Sequence, residues 1–378
     1  MTLEKPLTVM QLLPKLSIGG VERGTVQIAD ALNKRGHRSI VVCESGPLER
    51  DLRETGSEFF NWPIGRKHAL TIQYARKIRN LCLSEKVDIV HARSRLPAWL
   101  GRLALSKIKK EKCPVWITTV HGPYSVSAYS KVMMSGDKII AISNYIRDYI
   151  TKNYPGVEND RIITIPRGVD ETTHNLEFSV EQRWLDSWQN QMGLKSDMPL
   201  LTIPARLTRW KGQLDFLEIL RILKERGVRF HALLVGGASK NKNRYKGELI
   251  SKAKAANVFE NCSFLGNRLD IKEIMSMSTV VFSVTKIPEA FGRTTAEALS
   301  LGTPVIGYEH GGTKEIMKDW YPYGLVSVGN VREAADRTER FLKSYPPVTK
   351  NKNFTLERMQ KMNMSLYEGL SKKSKTTI

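Results

Sequence analysis

The sequence predicts an α/β protein built from two parallel β-sheets, each with helices on both faces. Short, continuous apolar runs recur along the chain, and segments with helical spacing of apolar residues lie between them. Strands that are buried on both faces give such continuous runs, whereas half-exposed strands alternate apolar and polar residues. The chain has 378 residues, which is enough for two domains, each with its own core.

Twelve apolar runs are the candidate strands, with six in each half of the chain. The runs of the first half are LTVMQLLP, SIVVCES, VDIVHAR, VWITTVHG, KIIAISN and RIITIPRG, and those of the second half are PLLTIPAR, HALLVGG, CSFLGN, TVVFSV, TPVIGYE and GLVSVG. Helical spacing is present in ERGTVQIADALNKRG and GQLDFLEILRILKERG, where Gly36 and Gly227 are the predicted C-terminal caps. Two sheets of about six strands are therefore expected, because a single sheet of about twelve would be unusual.

A domain boundary is predicted after Asp170, where the regular succession of apolar runs and helical segments stops. The predicted parts are a first domain over residues 1–170, a linker region over residues 171–198 and a second domain over residues 199–349. The linker region carries Trp184 and Trp188 on an amphipathic helical segment. The chain that follows the second domain is basic and helical in pattern.

Among the overall properties of the sequence, the net charge differs most from that of an average protein. It has 59 Lys and Arg against 38 Asp and Glu, a formal net charge of +21 and a pI of about 9.8. Residues 66–112 hold thirteen of the basic residues and only three acidic ones. Such a field suits a phosphate group, a nucleic acid or an anionic membrane surface, and a solvated basic face is the alternative.

Several classes of protein are disfavoured by what the sequence does not contain. No run of about 18 apolar residues is present, so no membrane-spanning helix is expected. The first residues have no basic start, apolar stretch or small-residue cleavage site, so no signal peptide is expected. The four cysteines are scattered, which disfavours a structural zinc site and a disulfide framework: Cys43, Cys82, Cys113 and Cys262. A reduced, cytoplasmic protein is the resulting prediction.

Two strand ends of the first half carry candidate binding residues. Gly19 and Gly20 follow the first strand, where glycine lets a ligand approach the backbone and a helix N-terminus offers free N–H groups to an anion. The spacing is not GxGxxG, which argues against a dinucleotide site, and a plain glycine turn is the alternative. His121 follows the VWITTV strand and could bind a ligand hydroxyl or act as a base, although a histidine at this place can also cap a loop.

A weaker candidate lies at the end of the VDIVHAR run. His91, with Arg93 and Arg95, could belong to a basic surface on the acceptor side of the first domain.

The second half has a basic strand end in PARLTRWKGQ. Arg206 and Lys211 lie five residues apart, and Gly212 leads into a helix. A guanidinium and an ammonium group that converge on one loop would neutralise a diphosphate, with the arginine binding in a bidentate manner. The alternative is an ordinary basic loop.

The stretch PEAFGRTTAEALSLGTPVIG places two glutamates eight positions apart. Glu289 lies in the loop that follows a strand, and Gly292 and Arg293 lie where the next helix begins, so that free amides and the helix dipole favour a phosphate there. Glu297 lies about one turn into that helix. The two carboxylates could then bind different hydroxyl groups of one elongated ligand on either side of its phosphates, which suggests a nucleotide sugar.

Together, these residues resemble the retaining glycosyltransferases of family 4. Residues 288–292 followed by Glu297 are similar to the E-x7-E signature of that family. The paired glycines near residue 19, the HG at His121, the Arg–Lys pair and the GG-x-x-E of residues 311–315 follow in the family's order. The resemblance extends over residues 7–340, and HARSR, IPRGVD and RLTRWKGQ are similar to bacterial enzymes that build lipopolysaccharide core or other envelope glycans.

The resemblance implies a GT-B fold, with two Rossmann-like domains that face each other across a cleft. It implies that the C-terminal helix, residues 350–372, packs back on the first, acceptor-side domain. It also implies a metal-independent enzyme, which fits the absence of a DxD motif, and a front-face transfer in which the leaving phosphate accepts the proton of the acceptor.

Roles for individual residues follow from the resemblance as well. Gly20 is expected to contact the distal phosphate of the donor, and His121 the donor sugar. Arg206 and Lys211 are expected to bind the diphosphate. Glu289 is expected to bind the sugar hydroxyls, together with the amides of Phe291, Gly292 and Arg293. Glu297 is expected to bind the ribose. One departure is Arg167 in IPRGVD, where an asparagine is commoner in the family.

The expected partners are a nucleotide-sugar donor, a glycan or glycolipid acceptor and the anionic surface of the inner membrane. Residues 66–112 would dock on the cytoplasmic face of that membrane, with Trp99, Leu100 and Leu103 near the interface or in the core; binding of anionic acceptor groups is an equal alternative. A nucleic-acid-binding module is disfavoured because the aromatic residues lie mostly in apolar runs. The remaining alternatives are an inactive GT-B protein docked on a membrane, and a GT-B epimerase or phosphorylase, which does not typically carry the glutamate run.

Overall fold

The computed structural model describes residues 6–195, 197–237 and 243–373. The chain forms two compact units, Met1–Arg167 with Glu357–Ile378, and Gly168–Leu356. Among the described residues, none of the helices combines the length and the apolar composition that a membrane-spanning segment requires.

The first unit contains a parallel sheet of seven described strands. The strands are β1 (Thr8–Lys15), β2 (Arg38–Glu44), β3 (Glu58–Asn61), β4 (Ile89–Ala92), β5 (Val115–Val120), β6 (Lys138–Ala141) and β7 (Ile162–Thr164). Their order is β3-β2-β1-β4-β5-β6-β7, and each neighbouring pair is parallel. From β1 to β3, each new strand is added on one side of β1, whereas β4 to β7 are added on its other side. The strand order therefore reverses between β1 and β4.

Five helices connect these strands, and a sixth returns from the end of the chain. They are α1 (Gly20–Lys34), α2 (Glu49–Glu54), α3 (Gln73–Ser84), α4 (Arg95–Leu105), α5 (Asn144–Asn153) and α13 (Leu356–Lys373). The strands are buried on both faces, as the run Val9, Met10, Leu12 and Leu13 shows, each with no exposed surface. Parallel strands need crossover connections, and these helices provide them and cover the sheet.

The second unit contains a parallel sheet of six strands within the described residues. The strands are β8 (Leu200–Pro204), β9 (His231–Val235), β10 (Cys262–Gly266), β11 (Val280–Ser283), β12 (Val305–Tyr308) and β13 (Leu325–Val326). The helices are α6 (Gln182–Met192), α7 (Gln213–Glu225), α8 (Asn243–Ala255), α9 (Ile271–Met277), α10 (Arg293–Ser300), α11 (Gly311–Trp320) and α12 (Val331–Lys343). The strand order is β10-β9-β8-β11-β12-β13, so the reversal lies between β8 and β11.

The predicted fold class, two parallel sheets with helices on both faces, is confirmed. Each of the twelve apolar runs contains a strand of the structure. The strand that the sequence did not indicate is β3, whose sequence EFFN is only four residues long and is only partly buried.

Helix α13 packs on the sheet of the first unit. The Tyr367 hydroxyl lies 2.7 Å from Nδ1 of His91, which is fully buried on β4. The Gln360 side chain donates a hydrogen bond of 2.9 Å to the Gln27 carbonyl on α1, and Glu368 lies 3.4 Å from Nε2 of His37. The last helix is thus held to elements of the first unit by one buried and two partly buried polar contacts.

Residues 171–198, which the sequence suggested as a linker region, lie within the second unit and contribute to its core. Trp188 on α6 is 7 % exposed and clusters with Leu200, Leu233, Val235 and Ile274. Trp184 stacks on it with ring centroids 5.1 Å apart. A segment that supplies a buried tryptophan to the core is part of the domain.

Replacement of Trp188 by alanine is expected to lower the free energy of unfolding of the second unit by about 3–5 kcal/mol, because it removes a large buried side chain and leaves a cavity. Urea denaturation would measure the change. The control is Leu269→Ala in the same unit, where the side chain is fully exposed and a change within about 0.5 kcal/mol is expected. Equal effects of the two substitutions would show that α6 does not belong to this core.

Candidate active site

Several of the predicted site residues lie where the strand order of each sheet reverses, and His121 follows β5, one strand further along the first sheet. In the second unit, Arg206 and Lys211 follow β8, and Glu289 follows β11, which is the neighbour of β8. In the first unit, Gly19 and Gly20 follow β1, and β4 is its neighbour across the reversal. Open parallel sheets bind ligands outside the carboxyl ends of their strands at this point.

Gly212 fixes the loop that follows β8. Its φ is +82°, and a Cβ atom at this position would lie 1.8 Å from the Val284 carbonyl oxygen at the end of β11. Only glycine combines this backbone conformation with such a close approach. The buried Gln213 side chain also donates a hydrogen bond of 2.9 Å to the Arg206 carbonyl. The loop that carries Lys211 is therefore held tightly against β11.

Lys211 and Glu289 form an ion pair. The two side chains are only 15 % and 16 % exposed, and the ammonium group also lies 4.3 Å from the centroid of the Trp210 ring. The pair compensates two charges that are largely removed from water. A lysine ammonium has three N–H donors, so Lys211 can keep this contact and still bind a phosphate oxygen.

The loop over residues 288–292 packs on the first turn of α11. The Gly312 amide donates to the Glu289 carbonyl at 2.7 Å. A Cβ atom on Gly312 would lie 2.2 Å from the Phe291 carbonyl oxygen. The paired glycines of EHGGTKE thus allow the close packing of this loop, which is a structural reason for their presence.

Helix α10 begins directly after this loop with no side-chain cap. Its N-cap residue is Gly292, with φ of +89°. The first N–H groups of a helix have no intrahelical partner, and together with the helix dipole they favour an anion. Glu297 lies in the second turn, and one of its carboxylate oxygens is 4.0 Å from the Arg293 guanidinium.

Two further predicted residues differ in what they can offer a ligand. Phe291 is 7 % exposed and packs on Phe354, with ring centroids 6.1 Å apart, so it can act on a ligand only through its backbone. Arg206 is exposed, and its guanidinium has no hydrogen-bond or ion-pair partner among the residues described here.

The loops after β8 and β11 are also connected by residues that were not among the predicted site residues. Asp215 on α7 accepts a hydrogen bond of 2.8 Å from the Tyr308 hydroxyl and forms an ion pair of 2.8 Å with Lys286. The Lys286 amide donates to the Trp210 carbonyl at 2.8 Å. These residues connect the loops after β8 and β11, and no sequence pattern marks them because each lies in an ordinary helical or loop context.

In the first unit, His121 is held by Arg167. The Arg167 guanidinium lies 3.0 Å from Nδ1 of His121. Burial lowers the pKa of His121 well below its usual value, and the charges of Arg167, Arg93 and His91 lower it further. His121 is therefore neutral near pH 7. An arginine is only a donor, so Nδ1 accepts this hydrogen bond and the ring proton lies on Nε2.

His91 and Arg93 do not lie on a surface, contrary to the interpretation offered from the sequence. Both are buried, with exposed fractions of 0 % and 3 %. The second ring nitrogen of His91, Nε2, lies 2.6 Å from the Thr119 hydroxyl, so both of its nitrogens are used within the core. Arg95 is partly exposed, and its guanidinium lies 4.9 Å from the centroid of the Tyr124 ring.

The fold and these strand-end clusters define a glycosyltransferase of the GT-B class. The model of Glycosyltransferase Family 4 matches residues 18–173, and the model of Glycosyl transferases group 1 matches residues 186–357. The chain belongs to the family 4 glycosyltransferases, and it is an enzyme that uses nucleotide-sugar donors. Among the described residues, no group of three or more His, Cys, Asp and Glu is arranged to hold a metal ion.

Named relatives agree with this assignment. The chain is 25 % identical to Spore coat protein SA of Bacillus subtilis, over 81 % of this chain and 91 % of that protein. It is 26 % identical to the UDP-Gal:alpha-D-GlcNAc-diphosphoundecaprenol alpha-1,3-galactosyltransferase of Escherichia coli, over 85 % of this chain and 84 % of that protein. The crystal structure of a glycosyltransferase from Rickettsia africae superposes with a TM-score of 0.81 at 24 % identity, covering 97 % of this chain and 99 % of that one.

The buried His91 is expected to make the first unit less stable in acid. Burial lowers its pKa well below the usual value, with smaller contributions from Arg93 and Arg167. The unfolded chain binds a proton near pH 6.5 that the folded chain does not, so the stabilising difference is complete above about pH 6.5 and is lost as the pH falls. The expected slope is about 1.4 kcal/mol of unfolding free energy per pH unit for this histidine.

The slope is measured by urea denaturation between about pH 7 and pH 5, for the wild type, His91→Asn and the exposed-site control His68→Asn. The His91→Asn protein is expected to lose this contribution to the slope, whereas His68→Asn is expected to keep it. The same slope in all three proteins would contradict the interpretation.

Proposed function

We propose that the chain transfers a hexose, with retention of the anomeric configuration, from a nucleoside diphosphate sugar to an acceptor in lipopolysaccharide core or another lipid-linked envelope glycan. The observation that carries the proposal is the ion pair between Lys211 and Glu289 beside the uncapped start of α10. A cation, a carboxylate and the N-terminal amides of a helix thus lie near the same strand ends of the second sheet, which supports the proposal.

The diphosphate of the donor is assigned to the positive groups of this cluster. The exposed Arg206 guanidinium can bind two phosphate oxygens, and the Lys211 ammonium can bind one more. The amides of Gly292 and Arg293 lie at the start of α10, which no side chain caps, and these amides and the dipole of α10 favour the same charge. Together they supply the neutralisation that a metal ion provides in other phosphate sites.

The two carboxylates are assigned to hydroxyl groups on either side of the diphosphate. Glu289 accepts hydrogen bonds from the sugar, and its ion pair with Lys211 keeps it in place. Glu297 accepts hydrogen bonds from the ribose, and its contact with Arg293 holds it at the second turn of α10. Hydrogen bonds to a charged acceptor are stronger than neutral ones and orient the ligand.

The reaction in this proposal is a front-face substitution at the anomeric carbon. The bond from that carbon to the phosphate oxygen breaks, the acceptor oxygen forms the new bond on the same face, and the released phosphate oxygen takes the acceptor proton. The protein stabilises the negative charge that develops on the leaving diphosphate, which lowers the barrier. His121 would then serve as a neutral hydrogen-bond donor through Nε2 to the donor sugar, and Gly20 would donate its amide to the distal phosphate.

The first unit provides a surface suited to a lipid-linked acceptor at a membrane. An apolar cavity of about 490 Å³ lies between the segment that precedes α3 and helix α4. Four large apolar side chains at this surface are between 38 % and 65 % exposed: Leu70, Ile72, Trp99 and Leu103. Leu100 is instead in the core, with 4 % exposure. Arg102 lines this cavity, and Arg66 and Lys67 line a neighbouring one that shares His68 and Leu96 with it. Basic side chains near anionic lipid would add about 1 kcal/mol each.

The relative from Escherichia coli supports this acceptor class, since its name describes transfer to a diphosphoundecaprenol-linked sugar. An acceptor of that kind has a lipid chain and a diphosphate, which correspond to the apolar cavity and to the basic surroundings. The enzyme would accordingly work as a peripheral protein on the cytoplasmic face of the inner membrane.

The donor site is tested by thermal-shift titration with UDP, GDP and ADP in the absence of metal. One nucleotide is expected to stabilise the wild type, and Glu297→Ala is expected to weaken its binding about tenfold or more, because a charged hydrogen bond to the ribose is lost. Glu289→Gln is expected to bind the nucleotide normally but to lower turnover about 100-fold.

The matched control is Glu309→Gln, an exposed carboxylate of the same unit that pairs with Lys314 and Lys318. It should bind nucleotide as the wild type does. Absence of a shift with all three nucleotides, from folded wild-type protein, would overturn the proposal and favour an inactive, membrane-docked GT-B protein.

The membrane surface is tested by sedimentation with vesicles of phosphatidylcholine mixed equally with phosphatidylglycerol. Ile72→Ser combined with Leu103→Ser is expected to reduce the bound fraction at low salt, because it removes apolar side chains that enter the interface. The control is Val328→Ser, an exposed apolar residue of the second unit. Failure of the wild type to sediment with these vesicles would contradict membrane docking.

A further inference from the structure

The first unit contains two buried arginines at the carboxyl end of its sheet. Arg93 follows β4 and is 3 % exposed, and Arg167 lies beyond β7 and is 7 % exposed. Arg93 donates to the amide oxygen of Gln11 at 2.8 Å and also contacts the Tyr367 hydroxyl. Burial lowers the pKa of Arg93, and within the described residues the compensating group is this neutral hydroxyl, not a carboxylate. Buried charges are normally paired, so Arg93 is a charge without its counterpart.

The absence of a side chain at Gly24 makes room for the guanidinium of Arg167. Gly24 lies in the second turn of α1, and a Cβ atom there would be 1.7 Å from Nη1 of Arg167. Glycine is unfavourable inside a helix compared with alanine, so its presence needs a local reason. The reason in this structure is the passage of the Arg167 guanidinium, which spans from the edge strand β7 to the centre of the sheet.

His121 adds a donor without an acceptor to the same cluster. Its Nδ1 accepts from Arg167 at 3.0 Å, so the ring proton lies on Nε2. The Nε2 atom is buried and has no hydrogen-bond partner in the described part of the chain. An unpaired buried donor is costly, and such groups in native structures usually have a function.

The cluster lies where the strand order of the first sheet reverses. Gln11 on β1 and Arg93 after β4 face each other across the reversal, and His121 follows the next strand, β5. His121, Gly122 and Gly20 are partly exposed, so the rim of the cluster reaches the surface. Every group that shifts the pKa of His121 lowers it, and two of them are the arginines. His121 thus lies beside two guanidinium groups, and its Nε2 atom is a donor without a hydrogen-bond partner among the described residues.

We propose that Arg167 and His121, supported by Arg93, bind a carboxylate or phosphate group carried by a sugar substrate of this enzyme. This inference rests on the proposed function, because it assumes that the ligand is a sugar. A neutral hydroxyl could accept from Nε2 of His121 but would leave the buried charge of Arg93 without a counterpart. An oxyanion has at least two oxygens, one for the imidazole N–H and one for the guanidinium, and it balances the charge.

The anionic group can belong to the donor sugar or to the acceptor, and two pairs of probes distinguish these sources. The donor pair is UDP-glucuronate and UDP-glucose, or GDP-mannuronate and GDP-mannose if the protein binds GDP. The acceptor pair is glucose 6-phosphate and glucose. Affinities are measured by isothermal titration calorimetry on the full chain. In one of the two pairs, the anionic member is expected to bind about tenfold more tightly or better.

Four variants show whether this preference depends on the cluster. Arg167→Gln removes the charge and Arg167→Lys keeps it, so the preference is expected to be lost in the first and largely retained in the second. Gly24→Ala is expected to displace the guanidinium and to abolish the preference while the protein remains folded. Arg50→Asn, at an exposed position on α2, removes the same charge elsewhere and is expected to keep the preference.

Three outcomes would overturn the proposal. In the first, neither anionic probe is preferred, although the nucleotide binds; the proposed function then stands without the oxyanion site. In the second, Arg167→Gln weakens UDP and both UDP-sugars equally, so that the cluster holds the donor diphosphate. In the third, the preference exists but is unchanged in Arg167→Gln and Gly24→Ala. Absence of all nucleotide binding would instead refute the proposed function, and the glucose 6-phosphate titration would still test the cluster.

Discussion

The reversal of strand order within each parallel sheet is the constraint on which both clusters depend. Crossover helices on either side of the reversal pack on opposite faces of the sheet, so the loops there diverge and leave room at the strand ends. In the second unit this point separates β8 from β11, and the loops that leave these strands carry Lys211 and Glu289. In the first unit it separates β1 from β4, next to Gln11 and Arg93. A reversal of strand order thus lies beside both charged clusters. The cluster of the second unit contains a lysine and a glutamate, and that of the first unit contains an arginine.

The architecture could be predicted from the sequence because strands covered on both faces must be continuously apolar. This requirement is strong enough to reveal even the two-residue strand β13 through its flanking run GLVSVG. It fails for β3, where only Phe59 and Phe60 are apolar and the sheet edge leaves them partly exposed. The pattern of apolar strands also gave no information on residues 171–198, because helix α6 lies outside that pattern. Its contribution to the core is seen only in the structure, where Trp188 packs with Leu200.

The types of residue in the candidate site could be predicted from the sequence, but the contacts between those residues could not. The order of charged residues and glycines along the chain indicated a diphosphate sugar, yet Lys211 and Glu289 are separated by 78 positions and their contact depends on the close approach at Gly212. The burial of Arg93 could not be read at all. A charged residue after a strand looks exposed in sequence, and its neutral partner Tyr367 lies near the other end of the chain.

The contact of α13 with the first sheet has a consequence for the order in which the protein can be made. His91 and Arg93 are buried polar groups whose partner Tyr367 is translated long after the strand that carries them. Thr119 and Gln11 are available to His91 and Arg93 earlier, but until that helix leaves the ribosome both groups lack the Tyr367 hydroxyl, so the first sheet cannot reach its final packing around them. The second unit, Gly168–Leu356, is complete earlier and includes every strand of its own sheet. The first unit, although it is translated first, should therefore be the last to complete its folding during synthesis. Its N-terminal strands must be protected from aggregation for most of the time that the ribosome needs to make the chain.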